Sequence, residues 1–459
     1  MEIKPSFGFL DYLIFIIFFV GLFIVAKLST KNVSDNADDY YLNNRKLNLF
    51  FYVLTTVATW YGGILGAGEF SYKYGISSWT TQGLPYYVFA YLFAIFFAKK
   101  VRNASIYTIA EIVEKKYNRV ISIIVAFILL IIVSPAPYIF MIGSLISFIF
   151  NINLYLSILI SLFFSSLFLY KGGFKTNIWT DSYEFFFMFL GFIMIVLISY
   201  FTFGGYNFLA MKLPENHLKL TGGLPFTYLL VWFLIALWTF ADPGFHQRAS
   251  AAKNDKVAMW GIIISIFFWF LFDFLTTSTG LYARAVMPDI TNPVLSYPIY
   301  AERVLEDGLK GIFYVAMFAT ILSTSNSFMF LSSTIVSRDI FEKIDYFRKF
   351  NVKTKALIAL SLISIIVVII TFLIPSVIDI WYTIGTIFLP GVIFIIFSCY
   401  YENFLVDNKS AIVILIGSIV LSFTWYIIKD NYLPTIIEPM LVGLILPAVY
   451  VVKKLFSSL

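Results

Sequence analysis

The chain has 459 residues, 60% of them apolar and 20% aromatic, and only 13% charged, where a soluble domain carries roughly 25%. A membrane helix takes about 20 consecutive apolar residues, so this composition fills about thirteen spans and excludes a soluble enzyme. The net charge of +6 raises the question of nucleic acid, but the placement of the charges answers it differently.

Taken in chain order, apolar stretches predict helices near 9–27, 48–72, 82–98, 120–149, 153–170, 183–206, 223–242, 257–283, 311–337, 356–374, 377–400, 410–428 and 436–452. No small-residue cleavage pattern follows Lys27, so the first stretch reads as a retained helix and not a signal peptide. The polar gaps, longest near 28–47, 287–309 and 338–354, each fall well short of the ~50 residues of a small domain. The expectation is one all-α polytopic membrane domain over 1–459. Cys399 is the one cysteine, which excludes an internal disulfide. With the N-terminus outside, Lys and Arg of the inner segments outnumber those of the outer ones about threefold, the positive-inside signature. This orientation puts Lys453 and Lys454 in the cytoplasm and leaves nothing for nucleic acid to explain.

Two spans carry helix breakers. The second reads TTVATWYGGILGAGEFSYKYG, with Gly62, Gly63, Gly66 and Gly68 in apolar surroundings, and the seventh reads LWTFADPGFHQR, where Asp242-Pro243-Gly244 interrupts the helix. Paired interruptions five helices apart point to an inverted-repeat transporter with its site near the bilayer midplane. The repeats run over about 48–206 and 223–400, and the first helix and 410–452 are additions. The alternative is that Gly62 and Gly66 form only a packing face and Pro243 a kink.

Several polar residues stand at membrane level. Ser323 and Thr324 lie midway along the ninth span with Thr320 one turn earlier, either as ion ligands or bonded to their own helix carbonyls. Asp181 stands at the start of the sixth span, where an acid caps a helix. Trp60, Gly63, Thr239 and Asp242 flank the breaks, with Tyr138 on the fourth span as a further solute candidate. Asp242 reads equally as a solute ligand and as a cap of the second half-helix. Glu69 is expected to pair with Lys73, Asp379 to reach outer water, and Asp273 has no evident role. Neither His217 nor His246 falls in a metalloprotease motif, and no nucleophile elbow or Walker lysine is present, so no enzyme is expected.

Four ordered stretches resemble one family, the sodium/solute symporters of proline, pantothenate and sugars. They are ADDYYLNNRKL, LYKGGFKTNIWTDSYEFFFMFLG, DPGFHQRASAAKNDKVAMWG and AMFATILSTSNSFMFLSSTIVSRDIF. The resemblance implies a five-plus-five inverted-repeat, leucine-transporter-like fold and sodium-driven uptake of a small organic solute across the plasma or inner membrane. It implies a sodium site of Thr56, Thr59, Thr320, Ser323 and Thr324. It also implies an inner ion path or second sodium at Asp181, with Asn326 and Ser327, although Asn326 stands where those members have serine. Ile235 and Thr239 occupy positions where proline carriers have aromatics, which argues against proline. A sodium-linked nutrient sensor and an uncoupled solute channel are the alternatives, and no obligate protein partner is evident.

Overall fold

The computed structural model describes residues 5–31, 33–166, 169–373, 377–432 and 437–457. Residues 167–168 of the expected fifth helix, 374 of the tenth and 436 of the thirteenth lie outside them. Ten described helices are long and apolar enough to cross a bilayer. Among the described residues the expected thirteen are not all found at that length, and some apolar stretches form shorter or divided pieces. The third, for example, is a π turn over Trp79–Gly83, then Leu84–Phe96 and Ala98–Asn103.

The helices sort by burial in the reverse of a soluble protein's polarity. The ninth span, Leu309–Lys343, is rich in Ser and Thr yet 94% buried across its central window. The far more apolar first span, Phe9–Ser29, exposes Phe9, Ile16, Val20 and Phe23 on its outer face. With lipid as the outer solvent, apolar bulk faces outward at no cost. Hydroxyls retreat to where backbone carbonyls can accept their protons.

Both expected breaks are present, and their extent differs from expectation. The second span is α-helical over Leu49–Trp60 and Ile64–Tyr74 with a 3-10 turn at Tyr61–Gly63. The seventh does not end near residue 242 but continues to Ala251, as Phe226–Ile235, Trp238–Ala241 and Pro243–Ala251. Hydropathy stops early there because His246, Gln247, Arg248 and Ser250 are polar, but all four are buried, and the first three have side-chain partners inside the bundle. His246 is therefore within the span and not beyond it. A third break lies in the fourth span, where Arg119–Ile132 gives way to Ala136–Phe150 around Ser134-Pro135. Proline supplies no N–H at that point, and the nearby Val133 carbonyl accepts from the Ser332 hydroxyl at 3.0 Å.

The sixth helix also starts earlier than expected. It runs unbroken to Phe203 from just after Gly173, whose φ of 56° interrupts the helix, so Asp181 sits about two turns inside it and does not cap it. Asp11 of the first span is a true cap instead: it accepts from the Gly308 and Gly311 N–H groups at 2.8 and 2.6 Å, at the start of the ninth. A carboxylate on exposed helix N–H groups is favoured by their partial positive charge. Asp11→Ala is expected to cost about 1–2 kcal/mol, read as a lowered melting temperature in detergent, with Asp11→Asn recovering most of it.

The seventh span is pinned to the segment before the second. Leu47 N–H donates to the Ala251 carbonyl at 3.0 Å and Lys253 N–H to the Leu47 carbonyl at 2.8 Å. Arg45 and Arg102 add guanidinium bonds to the Ser250 and Ala252 carbonyls. At the other end of the second span, the His217 ring donates to the Tyr72 carbonyl at 3.0 Å. Burial there holds its imidazole below the ordinary range. The unfolded chain thus takes up a proton near pH ~6.5 that the folded chain does not. Stability is expected to fall as pH drops below about 6.5, and His217→Gln should flatten the melting-temperature profile there.

Candidate functional site

The 3-10 turn at Tyr61–Gly63 brings the second span against the middle of the ninth. There the Ser323 hydroxyl donates to the Ala58 carbonyl at 2.8 Å and the Thr324 hydroxyl to the Thr59 carbonyl at 2.6 Å. Both also approach the Thr320 carbonyl, at 3.0 and 3.5 Å, while the Thr320 hydroxyl turns back to Ala316. The result is two hydroxyl and three carbonyl oxygens from two helices converging in a buried spot, the donor set a hard monovalent cation takes. Of the five residues expected to form the ion site, Thr59, Thr320, Ser323 and Thr324 meet here. The Ser323 and Thr324 hydroxyls bond to the Ala58 and Thr59 carbonyls and not to the Thr56 carbonyl, and the Thr56 hydroxyl is buried without a partner at the wall of a neighbouring cavity.

Gly62 explains how the helices approach so closely. A Cβ on Gly62 would fall 2.2 Å from the Cβ of Thr324, and one on Gly63 would fall 2.1 Å from the Trp381 ring. The glycines therefore both break the helix and open its packing face. Gly62→Ala is expected to displace Thr324 and raise the half-saturating sodium concentration severalfold, checked by sodium titration of the melting temperature.

One turn below lies a second polar cluster. The Thr55 and Thr59 hydroxyls both donate to Asp181 Oδ2, the latter at 3.1 Å. Arg248 Nη2 stands 3.5 Å from the same oxygen. It donates to the Thr55 hydroxyl at 3.0 Å, to the Thr59 hydroxyl at 2.5 Å and, at 3.4 Å, to Ser327. Ser327 and Thr59 hydroxyls are also 3.1 Å apart. Asn326 Oδ1 is buried without a partner, as is Asp181 Oδ1. Arg248 and Thr55 were not singled out from the sequence. The available signal was an arginine placed five residues beyond a proline break, which hydropathy reads as the end of the membrane.

Between the breaks is a cavity with about 140 Å³ of space for water centres. At about 10–15 Å³ of such space per water, it holds roughly ten, the bulk of a small organic molecule. Trp60, Gly63, Tyr138 and Asp242 line it, and so do Arg248, Asp273 and Trp381. Thr239 is not among the lining residues; its hydroxyl bonds the Ala236 carbonyl at 3.0 Å. Asp242 caps the half-helix Pro243–Ala251, its Oδ1 accepting from Gly244 and Phe245 N–H at 2.5 and 3.3 Å. Glu69 pairs with Lys73 at 2.5 Å.

Two interrupted spans, an oxygen-lined contact beside one break and a cavity between them define a secondary transporter of the five-plus-five inverted-repeat, leucine-transporter-like class. The profile of the sodium:solute symporter family matches residues 40–401, and the chain belongs to that family. It is similar to a sodium/glucose cotransporter of Vibrio parahaemolyticus, 24% identical over 400 residues that cover 74% of this chain and 70% of the relative. A sodium/pantothenate symporter of Haemophilus influenzae is 24% identical over 348 residues, 72% of each chain. In fold the chain resembles a Na+-coupled sialic acid symporter in a substrate-bound outward-open state (TM-score 0.81, 14% identity, 98% of each chain). It also resembles Mhp1, a nucleobase-cation-symport-1 family transporter (TM-score 0.64, 12% identity, 92% of this chain and 95% of that one). The chain is a multi-pass membrane protein and a sodium-coupled symporter, with sodium as its coupling ion.

Proposed function

We propose that the chain imports a small organic solute by alternating access, with sodium bound by the Ser323 and Thr324 hydroxyls and the Ala58, Thr59 and Thr320 carbonyls. The observation that carries this reading is the pair of hydroxyl-to-carbonyl contacts across the second-span break. Sodium would take the place of those two protons between the hydroxyl and carbonyl oxygens and bind both helices at once, so its arrival or loss is felt by both repeats. The repeats are read as about 48–206 and 223–400, in a plasma or inner membrane with the N-terminus outside and the C-terminus in the cytoplasm.

The cluster around Asp181 supports one sodium per cycle. Its oxygens already surround a guanidinium, and a second ion would have to displace Arg248. One charge crossing 100 mV is worth about 2.3 kcal/mol, and a tenfold sodium gradient adds about 1.4. Together they hold a neutral solute at roughly 500-fold accumulation.

The test is melting temperature in detergent with sodium or potassium at equal ionic strength. Sodium is expected to stabilise, by about 2.7 kcal/mol at 100 times its dissociation constant, and potassium is not. Equal melting in the two salts would overturn the ion site. Uptake into proteoliposomes that accumulates only with an inward sodium gradient separates a symporter from a sensor, which moves nothing, and a channel, which only equilibrates.

A further inference from the structure

The cavity between the breaks is acidic and aromatic, and that combination selects a solute. Asp242 and Asp273 both line it, yet neither forms an ion pair among the described residues. Arg248 is the one basic residue of the wall, and its guanidinium is engaged by Asp181 and the Thr55 and Thr59 hydroxyls. Asp242 shares the field of that one guanidinium with Asp181, and Asp273 has no cation among its partners, so the wall carries more carboxylate than cation. Buried carboxylates of this kind ask for one, since an unpaired charge at membrane depth is costly.

The remaining wall suits an organic cation and not a metal ion. Trp60 packs edge-on against Tyr86 (centroids 4.9 Å) and Phe245 (5.4 Å), and Tyr138 lies near Trp381 (6.5 Å). All five line the cavity. Aromatic faces attract ammonium groups through the ring quadrupole, most strongly where water is excluded. A hard metal ion would want several oxygen ligands, and no grouping of three or more His, Cys, Asp or Glu suited to a metal exists among the described residues. The two acids are held for the task differently. Asp242 Oδ1 is fixed by the half-helix N–H groups, leaving Oδ2 for a ligand. Asp273 accepts from the Tyr87 hydroxyl.

Building on the symporter reading, we infer that the transported solute carries an ammonium group, primary or quaternary, received by Asp242 and Asp273 within the aromatic wall. Its size is that of roughly ten waters.

The experiment measures melting temperature of the full chain in detergent with sodium, then with potassium. The probes are choline and 1,4-diaminobutane as cations, glucose as a neutral solute and lactate as an anion. At least one cation is expected to stabilise, more strongly in sodium, and glucose and lactate are not. Choline alone acting would assign the quaternary form and diaminobutane alone the amine form, both within the inference. Asp242→Asn keeps a good helix cap and Asp273→Asn keeps an acceptor for Tyr87, so both variants should fold and still respond to sodium. Each is expected to raise the half-saturating cation concentration at least tenfold. Stabilisation by glucose or lactate and by neither cation overturns the inference while leaving sodium symport intact, as does unchanged cation affinity in both variants. If no probe stabilises although sodium does, the inference is likewise rejected. A chain that does not respond to sodium would instead overturn the ion site on which it builds.

Discussion

Thr324→Ala raises the sodium concentration for half-maximal uptake by about 10- to 150-fold, the expectation for losing an oxygen partner worth about 1.5–3 kcal/mol to a charged group. The hydroxyl at stake stands 2.6 Å from the Thr59 carbonyl, in a buried contact that the missing side chain of Gly62 makes possible. Ser323→Ala acts in the same direction through the Ala58 carbonyl. The double variant should fall short of the sum, because the two hydroxyls share one ion and one partner helix. Melting in potassium separates the two roles of the hydroxyl. A loss seen equally in sodium and potassium reports only the helix contact, and a loss confined to sodium reports the ion. Unchanged sodium dependence in Thr324→Ala would sink the assignment.

Arg248→Leu is expected to destabilise the chain by about 3–5 kcal/mol, because it leaves Asp181 as a buried charge without its partner. Arg248 and Asp181 are 3% and 0% exposed at their side chains, so water cannot make up the loss. Removing both charges, as Arg248→Leu with Asp181→Asn, should recover much of the stability, since a buried pair is worth little against an uncharged replacement. The recovery, read as a double-mutant cycle of melting temperatures, distinguishes a true ion pair from two independent packing contributions. The double variant should also lose transport even where it folds, because Thr59 belongs both to this cluster and to the proposed ion site. Normal uptake in the double variant would mean that the cluster only supports the fold.

The glycines of the second span illustrate how sequence and tertiary structure divide the information. Their spacing alone left open a helix break or a packing face, and the structure makes them both. Tyr61–Gly63 is the break, while Gly62 admits Thr324 and Gly63 admits Trp381. Trp381 could not be found from its own surroundings, SVIDIWYTIG, because nothing local says which ring of so many will meet a gap in a distant helix.

By itself the sequence determined the class: many apolar helices, their breaks, and the hydroxyl pair of the ninth span. These are legible because a bilayer forces each span to be a long apolar run, and because proline and glycine interrupt helices wherever they stand. Motif order carried the family. Only the tertiary structure decided where the polar membrane residues go. Hydropathy ended the seventh span near Asp242, yet the helix runs on to Ala251 because Arg248 has Asp181, Thr55 and Thr59 to receive it. Likewise Asp181 looked like a cap, Thr239 like a solute ligand, and Asp273 like nothing in particular. Their roles follow from which neighbours can accept or donate a proton in a medium without water, and those neighbours lie on other helices far away in the chain.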